Sequence, residues 1–250
     1  MSKKNNKIKN IFQVYGYNNC FPLLNQSSYE IISIYILEDK KSVFSDRIDF
    51  QKHHDSITFL KKNDFYKRFD NLRSQGIVVS FRGPLIESLS DFDKTKTDSC
   101  LLILDRIEDP QNAGQIIRTA ECAGINGIIF PSHNSFQISN TVINISQGAF
   151  VNMPLYEVTN ISSAILELKK NDFWVIGIEN SIGAKSWDKL DYSGNTAIVV
   201  GSEGKGIRKK VIDHCDFLGE IPMQGSSNSL NVSAAVSAIL FERLRQTKFK

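Results

Sequence analysis

The spacing richest in chemistry is "AIVVGSEGKGIRKK", residues 197–210: an apolar run, three glycines within six positions, then a basic segment. Glycines let backbone approach a ligand closely, and a helix that follows adds free N–H groups, so the outline is that of a phosphate cradle. The residues themselves argue otherwise. Gly201 and Gly206 have the GxxxxG spacing, but Ile207 and Arg208 follow where a triphosphate loop needs Lys and Ser or Thr. Read from Gly204, the frame lacks the third glycine of a dinucleotide fingerprint. Glu203, in the middle of the glycines, would repel a phosphate. The plain alternative is a strand-to-helix turn whose glycines supply positive φ, for which three in six positions exceed the need.

Two further stretches carry candidate side chains. In "DRIEDPQNAGQIIRTAECAG" (105–124), Asn112 is placed to cap a helix. Gly114 lies four residues before Arg118 on the same helical face, which leaves room beside the guanidinium. The plain readings are a cap and a solvated arginine. In "EIPMQGSSNSLNVSAAVSAILFE" (220–242), Val232, Val236, Ile239 and Leu240 form a helical apolar stripe. Ser229, Asn231 and Ser233 crowd its first turn, where backbone N–H groups lack partners. One serine there would be a cap, whereas a cluster makes a hydrogen-bonding surface. Ala234, Ala235 and Ala238 permit close approach of another helix, within the chain or in a dimer.

The elements that must position these residues alternate. Apolar runs at 101–105, 127–130, 173–178, 196–200 and 217–221 read as strands covered on both faces, and helical patterns fall near 112–123, 161–171, 205–214 and 229–245. This alternation predicts an α/β domain with a mostly parallel sheet over 100–250. Before it come a basic tail (1–10), a small α/β unit (11–87) and a polar linker (88–99). The small unit is expected to begin with a helical stretch, "IFQVYGYNNCFPLLN", and to hold a charged helix around 55–75. Its aromatics Tyr15, Tyr17 and Phe21 read first as core, with base stacking as the alternative.

The chain has 250 residues, 41% hydrophobic and 23% charged, and a net charge of +3, so contact with nucleic acid must come from local patches. Lys205, Arg208, Lys209 and Lys210 after the glycines form one such patch. No apolar run nears the ~20 residues of a membrane helix. The opening "MSKKNNKIKN" lacks the apolar stretch of a signal peptide, so a cytoplasmic setting is expected. Four cysteines without a CxxC pair and four histidines without ligand spacing predict neither a metal site nor a disulfide framework.

Together, "DPQNAGQIIRTA", "IVVGSEGKGI" and "IPMQGSSNSLNVSAA" resemble the three ordered motifs of the SpoU (TrmH-like) RNA ribose 2′-O-methyltransferases of the SPOUT superfamily. The resemblance runs through residues 101–245. It implies a parallel α/β sheet with a C-terminal trefoil knot, a homodimer and S-adenosylmethionine as methyl donor. It also implies an RNA-binding N-terminal domain like ribosomal protein L30e. By motif position it assigns catalytic roles to Asn112, Arg118, Glu203, Ser229 and Asn231. It assigns donor binding to Gly201, Ile221 and Leu230, with Val200, Met223 and Ser233 beside them. The motif wording is nearest to members that modify a guanosine of 23S ribosomal RNA. The alternatives are a tRNA 2′-O-methyltransferase of the same family and a catalytically silent RNA-binding or ribosome-assembly factor. The N-terminal unit departs from the family pattern, because no histidine follows Gly16.

Overall fold

The computed structural model describes residues 10–249 except 71 and 182, so nine of the ten residues of the expected basic tail lie outside the described residues. The chain forms two compact units.

The first unit runs to Leu85 and takes in Ser139–Val151. Its elements are β1 (Phe12–Tyr15), α1 (Tyr17–Leu24), β2 (Glu30–Leu37), α2 (Lys41–Phe44), β3 (Ile57–Leu60), α3 (Lys62–Arg68), β4 (Ile77–Arg82) and, from the later segment, α5 (Asn140–Ile145). The sheet order is β1-β4-β2-β3. The opening stretch expected as helical is thus a strand and then a helix. Gly16, at φ 80, turns the chain between them, a conformation that a residue with a Cβ adopts only at a cost. The segment around 55–75 likewise divides into a strand and a two-turn helix. Tyr17 and Phe21 stack on one another at 5.5 Å and both meet Phe44, and Tyr15 packs on the Phe65–Phe69 cluster, so all three aromatics serve the core.

β1 is an edge strand, paired on one side with β4. Its other side is closed by amide side chains of the later segment. Asn144 accepts from the Tyr15 N–H (3.1 Å) and donates to the Gln13 carbonyl (2.8 Å), and Asn140 Oδ1 accepts from the Gln13 N–H (2.9 Å). An asparagine amide reproduces the donor and acceptor of a neighbouring strand, so the edge cannot recruit another chain.

The second unit carries β5 (Cys100–Asp105), α4 (Pro110–Cys122), β6 (Gly127–Pro131), β7 (Leu155–Val158), α6 (Ile161–Lys169), β8 (Trp174–Ile178), β9 (Lys185–Ser186), β10 (Thr196–Gly201), α7 (Lys209–Ile212), β11 (Phe217–Glu220) and α8 (Val232–Lys248). The sheet order is β7-β6-β5-β10-β8-β11-β9, and every pairing is parallel, as the strand–helix alternation predicts. Beside β5 the chain reverses direction: β6 and β7 lie on one side of it, β10 and β8 on the other. The carboxyl edge of a parallel sheet at such a reversal is where ligands bind.

Two expectations are corrected in this unit. Residues 88–99 are no free linker: Leu89 and Phe92 are buried with Tyr156 and Phe173, and the Glu87 N–H bonds the Leu155 carbonyl at 2.8 Å. Two apolar residues in a polar stretch show no periodicity, but they suffice to anchor it. The helix expected over 205–214 shrinks to α7 because Gly206 takes φ 62 and ends any helical run before Lys209. Cys20 and Cys100 are buried, and burial pushes the Cys215 thiol up to about 12, which leaves Cys122 as the exposed thiol.

Replacing Asn144 by Ala strands two backbone groups of β1. The expected cost is about 2 kcal/mol, which amide hydrogen exchange would register as roughly thirtyfold faster exchange at Tyr15. Unchanged exchange there would show that the edge does not depend on Asn144.

Candidate active site

The carboxyl ends of β5, β8, β10 and β11 align: Gly201 pairs with Asp105, Val200 with Ile178, and Gly219 with Ile178. Here the glycine loop leaves β10 and folds back on itself, with the Gly206 N–H bonded to the Ser202 carbonyl at 2.9 Å. A Cβ on Gly201 would run into the backbone of Gly206 and Ile207, so only glycine fits that hairpin. Gly206 adds a second constraint, since its φ is 62 and a Cβ there would strike the Glu179 carboxylate.

Two acids at strand ends hold the loop. Glu179, just beyond β8, accepts the Ile207 N–H at 2.7 Å. Asp105, at the end of β5 and fully buried, accepts from the Arg208 backbone N–H (2.8 Å), from its Nε (2.8 Å) and from its Nη2 (2.7 Å). A buried carboxylate is tolerated when donors of this kind satisfy it. Neither acid has a role in the sequence reading, although an acid that closes an apolar strand is a usable signal. Arg208, expected as a phosphate contact, has its charge compensated by Asp105.

Glu203 joins three distant segments. Its Oε1 accepts from Asn112 Nδ2 (3.0 Å), Asn231 Nδ2 (2.7 Å) and the Val232 N–H (3.3 Å). Asn231 Nδ2 also reaches Asn112 Oδ1 at 2.9 Å, while Asn231 Oδ1 caps α8 by accepting the Ser233 N–H at 2.9 Å. The first turn of α8 thus presents its unpartnered N–H groups and positive dipole end to an anionic side chain. Asn112 is not the cap of α4 as expected. Asp109 takes that place, accepting from Gln111 and Asn112, with Pro110 at the first helical position. The Asn112 side chain is released for the network.

Two cavities adjoin this network. One, of about 390 Å³, is lined by Val200, Gly201 and the rest of the glycine loop, by Ile221, Met223, Ser229 and Leu230, and by Glu179. The other, of about 230 Å³, is lined by Asn112, Ser202, Glu203, Lys205 and Arg106 among others. Of the expected donor-binding residues, Gly201, Ile221, Leu230, Val200 and Met223 line the larger cavity. Ser233 does not: its hydroxyl is buried at the helix junction, bonded to Gln115 Oε1 at 2.8 Å. Of the expected catalytic residues, Asn112, Glu203 and Asn231 are brought together and Ser229 stands on the cavity wall. Arg118 is exposed on α4 and lines neither cavity. The larger cavity falls in the size range of small-molecule sites, and Glu179 and Glu203 against a single Lys205 in its lining favour a cationic ligand over a phosphate. Among the described residues no group of three or more His, Cys, Asp or Glu could hold a metal ion, and no helix is long and apolar enough to cross a membrane.

A seven-stranded parallel sheet with a cavity and a carboxylate–amide network at its carboxyl edge defines an α/β protein with a candidate small-molecule site. The SpoU rRNA Methylase family model matches residues 99–241, more than half of the chain, and the chain belongs to that family. It is 33% identical to the 23S rRNA (guanosine-2′-O-)-methyltransferase RlmB of Shewanella oneidensis, over 94% of this chain and 97% of that one. It is 45% identical to a TrmH family protein of Staphylococcus aureus, but that match spans 59% of each chain. The structure of the AdoMet-bound rRNA methyltransferase from Sinorhizobium meliloti superposes with a TM-score of 0.78 over 95% of this chain and 88% of that one; the 22% identity makes this a likeness of fold.

Asn231→Asp keeps a good cap on α8 but puts a carboxylate where a donor now lies 2.7 Å from Glu203 Oε1. The new carboxyl is expected to stay protonated in the folded state above its ordinary value of about 4. A raised folded-state value means stability held at low pH and lost as pH rises. The urea midpoint of the variant should therefore fall, relative to the parent, between about pH 4 and neutrality. A constant difference across that range would show that the Asn231–Glu203 bond is not formed in solution.

Proposed function

We propose that the chain is an S-adenosylmethionine-dependent RNA methyltransferase acting on a ribose 2′-hydroxyl, with a guanosine of 23S ribosomal RNA as target. The observation that carries this reading is the Glu203–Asn112–Asn231 network beside a cavity whose lining includes Glu179 and Glu203. The likeness to the Shewanella 23S rRNA methyltransferase, over nearly the whole chain, supports the RNA target, and the AdoMet-bound Sinorhizobium structure supports the donor.

Val200, Ile221, Met223 and Leu230 would hold the adenine, the backbone at Gly201 would meet the polar edges, and Glu179 with Glu203 would face the cationic end. When bound, the donor supplies an electrophilic methyl group that the ribose 2′-hydroxyl takes up. The remaining work falls to side chains of the protein. Glu203 is fixed through Oε1 by three N–H donors, which gives the carboxylate one orientation and makes it a stable acceptor for a substrate hydroxyl. Ser229, exposed on the cavity wall, would pass the departing proton to water. A guanidinium is always charged and presents a planar fork of donors, so Arg118 is assigned to clamp the adjacent phosphate bidentately, not to accept a proton.

Arg118 lines neither cavity of its own chain, which supports a homodimer whose active site lies near the subunit interface. The small-residue face of α8 at Ala234, Ala235 and Ala238 is consistent with such an interface. We further assign the C-terminal segment to a trefoil knot, the first unit to an L30e-like RNA-binding domain, and the protein to the cytoplasm, where its RNA resides.

Calorimetric titration should detect S-adenosylmethionine binding, and mapping 2′-O-methyl positions in total RNA with and without the protein should reveal one that depends on it. The absence of donor binding would leave a silent RNA-binding factor in its place. Arg118→Lys retains charge but loses the fork. It is expected to lower turnover by about a hundredfold with donor affinity unchanged; turnover near that of the parent would remove the clamp role.

A further inference from the structure

Behind the active-site network lies a third cavity, of about 450 Å³, whose lining includes Arg106, Ser162, Arg208, Lys209 and Lys210 and no acid. Arg208 is neutralised by Asp105, so three cations remain uncompensated: Arg106, Lys209 and Lys210. The charge contrast with the neighbouring space is sharp. The 230 Å³ cavity holds Glu108, Asp109 and Glu203 against Arg106 and Lys205. Arg106 is shared by both cavities and stands between them.

The backbone of Arg106 adds a second observation. It holds φ 64, the left-handed region, which costs a residue with a Cβ on the order of 1 kcal/mol. Glycine would carry that conformation without cost, yet an arginine occupies the position, and no described residue pairs with its guanidinium. A cation without a partner among the described residues, lining both cavities, suits a ligand that is itself anionic. The third cavity also meets the start of α6, whose N-cap Asn160 accepts the Ser163 N–H at 3.2 Å, so the positive end of that helix adds to the field.

We propose that this cavity is a phosphate subsite for the RNA strand: a phosphodiester near the target nucleotide, other than the one assigned to Arg118, is held by Arg106, Lys209 and Lys210, and Arg106 marks the passage from it to the Glu203 network. The inference rests on the RNA reading above. It gives the three cations a place in substrate positioning, since a strand anchored in the acid-free cavity delivers its neighbouring ribose to Asn112 and Glu203. The repulsive acids of the smaller cavity keep phosphate out of the space that the hydroxyl must enter.

The test uses the full chain with a short single-stranded RNA oligonucleotide of mixed sequence, titrated at several salt concentrations, and with S-adenosylmethionine titrated separately. The variant Arg106→Gly with Lys209→Ala and Lys210→Ala is expected to bind the RNA at least tenfold more weakly. The slope of log affinity against log salt should become shallower by about 0.7 for each phosphate no longer neutralised. Arg106→Gly alone is expected to keep or raise the melting temperature while weakening RNA binding, which separates the ligand role from a folding role. Arg106→Lys should retain the salt slope. Parental RNA affinity and slope in the triple variant, with S-adenosylmethionine still bound, would overturn the subsite. A parent chain that takes up no S-adenosylmethionine overturns the functional reading instead, and the salt slopes still decide the cavity.

Discussion

The site depends on one oxygen, Oε1 of Glu203. Three N–H donors converge on it from the start of α4 and the start of α8, segments separated from it by 91 and 28 residues along the chain. Pairing of β5 with β10 aligns the strands that lead into α4 and the glycine loop, and the bonds to Glu203 add the start of α8. A carboxylate is the side chain suited to the task, because it accepts several hydrogen bonds at once and matches the positive end of α8. The same choice makes the glycine loop unfit for phosphate. A structural requirement and a ligand preference are met by one residue.

Glu203 can act in this way because its loop is anchored elsewhere. Asp105 and Glu179 stand at the ends of strands on either side of β10 and take up the N–H groups that the hairpin leaves unpaired. The result is a graded electrostatic surface along one sheet edge: Glu179 and Glu203 on the 390 Å³ cavity, a mixed region at the network, and uncompensated cations beyond Arg106. Such a gradient would orient a ligand that carries unlike charges at its two ends.

The first unit solves a different problem. An exposed β1 edge would invite pairing with another chain, and Asn140 and Asn144 close it from more than 120 residues away. The segment that supplies them lies inside the stretch 99–241 that carries the family match, so family membership and structural unit do not share a boundary.

The sequence by itself determined most strands of the second unit, because a strand buried on both faces must be an unbroken apolar run, and "LLILD" and "TAIVV" admit little else. It also displayed the residues of the network: Asn112, Glu203 and Asn231 stand out by type and position. What it could not display is any decision made by distant partners. Asp109, not Asn112, caps α4. Leu89 and Phe92 turn an apparent linker into part of the core. Arg208 is neutralised by an aspartate 103 residues away. Arg118 lies outside both cavities, and only the tertiary structure shows Glu179 accepting the Ile207 N–H and Glu203 accepting from Asn112 and Asn231. Periodicity records how a residue sits relative to its immediate neighbours. Charge compensation and cavity lining are set by residues brought together through the sheet, and no local pattern encodes them.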